Sequence, residues 1–436
     1  MAAALGVLVS CGSVKSGEEV VAASRDSKVV VAYVTSWSEV MPDPQYMTHI
    51  NYAFGHVNES FNGVKIDNEE RLRQIVDLRK QKPELKVLLS IGGWGSGRFS
   101  EMAANDEYRR AFAADCDRVV KEFALDGIDI DWEYPTSSMA NISSSPDDTE
   151  NFTLLMQDIR AAIGNEKELT LATVASARYI DFKAILPSVD FVNIMAYDMA
   201  SAPKHHSALY PSGHSGDITS DGAVTAHLKA GVPPSKLVMG MPFYGRGGDG
   251  YPSFQDYNKV GNTDTQYTEK WDEVAQVPYL ADKNDTLVFG FENPRSLAIK
   301  CQYILDKDLL GGMYWDYSGD NEQGDLRRTV AENLLGQAAQ GEGTGVDGTW
   351  RTARRIYGCR FEVVGGRRCK GEFQYYRDKQ CQEHNGGLLV AVQPGYSIGF
   401  PALYLAEGSG RCVRQVYRRR PWRLDRFPSC YFAGRV

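Results

Sequence analysis

The chain has 436 residues, 43% of them hydrophobic and 24% charged. That balance excludes a disordered chain and leaves room for one large domain with an appendage. The net charge of −8 excludes nucleic acid as the main partner, because phosphate binding needs a basic surface. The average conceals a split: residues 351–436 carry seventeen Lys and Arg against six Asp and Glu, so the positive charge gathers at the C-terminus.

Residues 2–9 form a short apolar run leading into Leu8-Val9-Ser10-Cys11. This resembles a bacterial lipoprotein signal, in which a Cys is acylated and becomes the new N-terminus. Residues 1–27 are therefore read as a signal with a polar leader, with lipidation at Cys11. The chain would be exported, as a cell-surface or periplasmic lipoprotein or a secreted protein. No other stretch approaches the roughly 18 apolar residues that span a bilayer, so a membrane is met only through such an anchor.

From residue 28 onward, apolar runs alternate with amphipathic segments. Val29–Val34, Ile50–Phe54, Val87–Ile91, Gly127–Asp131, Leu169–Val174, Phe191–Ala196, Leu237–Met241 and Gly312–Trp315 each read as a buried strand. Helical spacing appears in Leu72, Ile75 and Val76, in Tyr108 to Phe123, in Phe152 to Ile163, and in Leu326, Val330 and Leu334. Eight strands with helices between them predict an α/β fold, a closed (β/α)8 barrel, with a doubly wound open sheet as the alternative. The segment between the seventh and eighth strands is too long for a loop and helix. Pro294–Leu309 reads as the helix, and about 247–293 as a small insertion.

The barrel domain should span 28–336. Residues 337–349 are a Gly-rich linker. The tail at 350–436 is Cys- and Arg-rich, without strand or helix periodicity, and is read as of uncertain order. Of the eight cysteines, five lie in that tail and none forms a CxxC pair, so no zinc site is expected. Cys116 and Cys301 fall in helical patterns and read as buried free thiols. The sequons at Asn58, Asn141, Asn151 and Asn284 are taken as chance matches.

The run Asp126-Gly-Ile-Asp-Ile-Asp-Trp-Glu-Tyr-Pro135 carries the chemistry. In a strand, Asp129, Asp131 and Glu133 share one face, and Ile128, Ile130 and Trp132 the other. Inside a barrel the acids would climb toward the C-terminal mouth, where such folds place their sites. Crowding and desolvation oppose ionisation, which keeps a carboxylic acid protonated near neutral pH. Asp126 has the opposite parity and reads as structural.

This run resembles the DxxDxDxE signature of glycoside hydrolase family 18. Ser90-Ile-Gly-Gly-Trp94 looks like that family's SxGG element, and Met195-Ala-Tyr-Asp198 like its MxYD element. Met241-Pro-Phe-Tyr-Gly-Arg246 and Gly312-Met-Tyr-Trp315 continue the likeness across residues 28–336. The resemblance implies a TIM barrel and substrate-assisted retaining hydrolysis, in which the sugar's own 2-acetamido oxygen is the nucleophile. Glu133 would be acid and then base, Asp131 would orient the acetamido group, Asp129 would share protons and charge with Asp131, and Tyr197 would donate to the acetamido oxygen beside Asp198. Ser90, Gly92 and Gly93, with Asp126, would support the site.

Sugars present flat apolar faces, so a chitin cleft needs aromatic platforms. Trp315 would form the floor, Tyr33 and Phe54 the walls, and Trp94 the leaving-group side. Met195, Met241, Tyr244 and Arg246 are further expected contacts. No metal and no cofactor is implied, and His205-His206 reads as a solvated loop. The expected function is a chitinase acting on chitin or chito-oligosaccharides as a monomer, with end or internal cleavage unresolved. The alternatives are an endo-β-N-acetylglucosaminidase acting on N-glycan cores and a non-catalytic chitin-binding lectin.

Overall fold

The computed structural model describes residues 28–248, 251–260 and 267–336, together with the backbone of six short strands between residues 355 and 415. The segment 1–27, with Cys11, and the linker 337–349 lie outside the described residues.

Eight parallel strands close into a barrel: β1 Val29–Thr35, β2 His49–Val57, β3 Lys86–Gly92, β4 Gly127–Asp131, β5 Glu168–Val174, β6 Phe191–Met195, β7 Leu237–Pro242 and β8 Gly311–Trp315. Each pairs with its neighbours, and β1 closes the ring by pairing with both β2 and β8. Around it lie α1 Glu69–Val76, α2 Phe99–Ala104, α3 Asp106–Glu122, α4 Asp148–Ile163, α5 Phe182–Ile185, α6 Ser220–Lys229, α7 Pro294–Asp306 and α8 Asp325–Leu334. The closed ring resolves the choice against the open sheet.

Strand parity builds two apolar layers. Ile128, Ile130 and Trp132 join the layer between strands and helices, with Leu89, Leu171, Phe112 and Phe152. Inside the ring, Val31, Tyr33, Phe54, Ala172, Met195, Val238 and Met313 form a second cluster. Each side chain fully buried in this way contributes about 1.5–3 kcal/mol. Trp132 wedges between α2 and α4, its ring stacked on Phe99 at 5.3 Å and tilted against Phe152 at 6.0 Å.

Local signals set the helix ends. Asn105 caps α3 by accepting from the N–H groups of Glu107 and Tyr108, satisfying donors that would otherwise be orphaned. At α7, Asn293 and Ser296 form a reciprocal capping box with Pro294 at the first helical position. Asp126 sits at the entry of β4, where it accepts the Val87 N–H at 2.7 Å and pairs with Arg79.

Between β7 and α7 the chain forms a five-stranded antiparallel sheet. Its strands run from Tyr244–Gly247 to Leu287–Gly290, so it begins three residues before the expected 247. Leu280, Phe289 and Phe291 form its own small core, with Tyr257 and Val260 packed against them. Cys116 and Cys301 are buried free thiols. Residues 341–436 cluster as a separate unit, whose described strands form a six-stranded antiparallel meander. Among the described residues, no helix is long and apolar enough to cross a membrane.

Replacing Trp132 by Ala removes the wedge between strand and helices. Urea denaturation should show a loss of about 3–5 kcal/mol, the usual cost of emptying a buried aromatic site. A loss under about 1 kcal/mol would mean that the outer layer does not depend on this ring.

Candidate active site

Three acids form a file along the inner face of β4 and just beyond its end. Asp129, at its centre, is fully buried and saturated by donors. Tyr33 and Ser90 hydroxyls donate to one oxygen at 2.9 and 2.8 Å. Thr170 and Asn193 donate to the other at 2.6 and 3.3 Å. Burial pushes its carboxyl up, and those four bonds pull it back. Asp129 is thus a fixed acceptor at the base of the site.

Asp131, at the end of β4, is 3% exposed, and its Oδ1 has no hydrogen-bond partner. Burial first, and then the charges of Glu133 and Asp129, push its carboxyl well above the ordinary range. Glu133 follows just beyond the strand, half-buried, and receives the Tyr134 hydroxyl on Oε2 at 3.0 Å. Burial raises Glu133 to about 7, the Tyr134 bond works against the rise, and the charge of Asp198 adds to it. Two close carboxyls in this setting cannot both ionise easily, so the pair retains a proton near neutral pH.

Tyr197 follows β6, its hydroxyl 3.9 Å from the Met313 sulfur. Burial, then the charges of Asp131 and Glu133, raise its pKa, so it remains a donor. Asp198 beside it makes a two-pronged bond with Arg246 at 2.6 and 2.7 Å and lies 3.6 Å from His206 Nδ1. Burial opposes the Asp198 charge, but Arg246 and His206 outweigh it and hold the carboxyl well below the usual range. Asp198 is therefore a permanent anion facing Glu133, paired by a planar cation suited to carboxylates.

An aromatic group stands beside the acids. Trp315, ending β8, stacks on Phe54 at 5.6 Å and approaches Tyr33 at 5.7 Å. Tyr244 meets Tyr197 edge-on at 6.1 Å and belongs, with Arg246, to the first strand of the five-stranded sheet. Met195 lies in the inner cluster with this group. Trp94 stands apart, 61% exposed on the turn after β3. That turn needs its glycines: a Cβ on Gly92 would come 2.0 Å from the Asp131 carbonyl oxygen, and one on Gly93 2.6 Å from the Phe54 ring. Both have positive φ.

Two expectations are corrected. Met241 does not face the cleft. It is fully buried in the outer layer with Leu237 and Met239, because the strand presents Val238 and Gly240 inward and its odd positions outward. His205-His206 is not a solvated loop: both residues are 1% exposed. The five-stranded sheet supplies Asp272, whose carboxylate meets His205 Nε2 at 3.2 Å, while His206 packs on Tyr244 at 5.3 Å.

Several participants were not singled out from the sequence. Asn193 is the one polar residue of its strand, and that was the available signal, whereas Thr170 shares its strand with Glu168 and Thr173 and does not stand out. Tyr134 and Trp37 carried no such pattern. Trp37, 63% exposed, extends the aromatic group to Trp315 at 6.4 Å. A separate cavity of about 980 Å³ lies between the five-stranded sheet and the loop after β8, lined by Tyr257, Phe291, Asp320 and Arg327 among others and by none of these acids.

A closed (β/α)8 barrel with a protonatable acid, a buried carboxylate file and aromatic walls at its C-terminal mouth defines a glycoside hydrolase. Residues 29–320 match the family described as glycosyl hydrolases family 18, and the chain belongs to that family. It is 30% identical to chitinase A1 of Niallia circulans, over 69% of this chain and 58% of that protein's length. It is 31% identical to chitotriosidase-1 of Mus musculus, over 68% of this chain and 74% of that one. A solved family 18 N-acetylglucosaminidase from Paenibacillus barengoltzii is similar at 32% identity with a TM-score of 0.65, covering 70% of this chain and 99% of that one.

The site predicts a pH profile. With Glu133 as the general acid, its value of about 7 should give kcat/KM a descending limb near pH 7, since that role needs the protonated form. Tyr134→Phe removes the bond that favours the ionised form, so the limb should move to higher pH. An unmoved limb would mean that another group titrates there.

Proposed function

We propose that this protein is a chitinase that hydrolyses β-1,4 linkages between N-acetylglucosamine units with retention of configuration. One observation carries the reading: Glu133 is held at about 7, while Asp131, Tyr197 and the aromatic group stand beside it. The acid can protonate a leaving oxygen, and a carboxylate and a phenol remain to hold an amide.

In the first step the substrate's acetamido oxygen bonds to the anomeric carbon as the glycosidic C–O bond breaks. The leaving oxygen takes the Glu133 proton. Asp131 faces the acetamido N–H, steadying the positive oxazolinium ion, and Tyr197 donates to the acetamido oxygen. Water then attacks the anomeric carbon and gives a proton to Glu133, which restores the acid and reopens the acetamido group. Asp129 adds negative charge beneath Asp131 without taking part in bond making. The Trp315, Phe54 and Tyr33 rings meet the sugar's C–H face, and Trp94 receives the leaving-group side.

Residues 28–336 form the catalytic domain in this reading, and the protein acts as a monomer. A polymeric substrate lies outside the cell, which supports export, and the run Leu8-Val9-Ser10-Cys11 supports lipid attachment at Cys11.

Glu133→Gln should lower turnover of chito-oligosaccharides by at least about 100-fold, within the usual range for a lost general acid, with binding retained. The fully deacetylated oligomer should not be cleaved by the unmutated enzyme, because it lacks the internal nucleophile. Cleavage of a high-mannose glycoprotein without cleavage of chito-oligosaccharides would overturn the chitinase reading in favour of the N-glycan one. Binding without turnover would leave a lectin.

A further inference from the structure

The turn that carries Trp94 is held by a side-chain relay outside the carboxylate file. Between β3 and α2 the chain reads Gly92-Gly-Trp-Gly-Ser-Gly-Arg98, with positive φ at Gly92, Gly93, Gly95 and Arg98. Such a segment is costly to order, since glycine loses more backbone freedom than any other residue. The Trp94 ring, mostly in solvent, contributes little to fixing it.

Backbone bonds settle only part of the turn. Gly93 N–H donates to the Asp131 carbonyl at 2.9 Å, and Ser96 N–H returns to Gly93 within the turn at 3.0 Å. At the far end Arg98 reaches the Val57 carbonyl at 3.5 Å, the outer limit of a hydrogen bond. Between these points the Ser96 hydroxyl meets His56 Nδ1 at 2.8 Å, and His56 Nε2 meets an Asp67 oxygen at 3.0 Å.

The relay ends on firm ground. His56 lies in β2, and Asp67 follows the short strand Val64–Ile66 that pairs with β2. Asp67 N–H donates to the Phe54 carbonyl at 3.1 Å, and its own carbonyl accepts the Tyr52 hydroxyl at 3.0 Å. A neutral imidazole protonated on Nε2 donates to Asp67 and accepts from Ser96. The two bonds together make the relay a tether between the turn and β2.

We propose that His56 and Ser96 are positioning residues for Trp94, holding the turn so that the indole stands under sugars beyond the scissile bond. The inference rests on reading Trp94 as the leaving-group platform of a chitin cleft. Its specific consequence is that these two residues set affinity for long substrates without touching them.

The test uses the full chain with Ser96→Ala, His56→Ala, Trp94→Ala and the Trp94→Ala/Ser96→Ala pair. KM for chitohexaose should rise about 3–10-fold in each tether variant, the size of one lost hydrogen bond, with kcat little changed. Inhibition by the N-acetylglucosamine thiazoline, which fills only the place of the cleaved sugar, should change less than about 2-fold. Once Trp94 is gone, losing Ser96 should add nothing, as a shared function requires. Hydrogen exchange across residues 93–98 should speed up in both tether variants and stay unchanged in the rest of the barrel. An unchanged KM, fully additive losses, or unchanged exchange in this turn would overturn the proposal. An unmutated enzyme that binds the thiazoline but ignores chitohexaose would refute the chitin reading alone, and the exchange measurement would still decide the tether.

Discussion

Asp129 and Asp131 share the inner face of β4, with Glu133 continuing the file just beyond it, because Ile128 and Ile130, and Trp132 past the strand end, claim the outer side. The outer residues lock the strand against α2 and α4, and the two-residue period then leaves Asp129, Asp131 and Glu133 no other side to occupy. Packing energy from one face thus offsets the electrostatic cost accumulated on the other. The rest of the site answers that cost.

It is met differently at each level. At Asp129, four donors satisfy both oxygens, so the charge is tolerated in a dry interior. At Asp131 no donor reaches the buried Oδ1, and the cost appears as a carboxyl pushed up by burial and by the charges of Glu133 and Asp129. At Glu133 the cost is met by holding a proton, which is what an acid needs. Asp198 completes the pattern from the other wall: Arg246 keeps it ionised, and its charge helps keep Glu133 protonated. Environments that push neighbouring carboxyls apart in pKa also assign their roles.

The barrel and the acid file were legible because both follow from short periods. Eight apolar runs and the alternation in residues 126–133 are local patterns, while the closure of β1 on β8 and β2 is a long-range pairing that only the structure decides. Asp126 was separated from the other three acids by parity alone, and it lies beside Arg79 and Val87 at the strand entry. Contacts that join distant segments were not legible. Met241 was read as a cleft residue from its nearness to the strand end, when parity turns it outward. His205 and His206 were read as solvated because a loop usually is, but the five-stranded sheet brings Asp272 and Tyr244 over them. Thr170 and the His56–Ser96–Asp67 relay belong to the same class: each residue is ordinary in its own segment and gains meaning only from its partner across the fold.

The central claim is that folding keeps a proton on the Glu133–Asp131 pair up to neutral pH. Infrared difference spectroscopy can observe that proton directly, by comparing the unmutated protein with Glu133→Gln while pH is stepped from 4 to 9. The account predicts a buried carboxylic acid band that persists at pH 6 and disappears with a midpoint near the value of about 7 set by burial and the Asp198 charge. A carboxyl already ionised at pH 5, with no such band above it, would contradict the account.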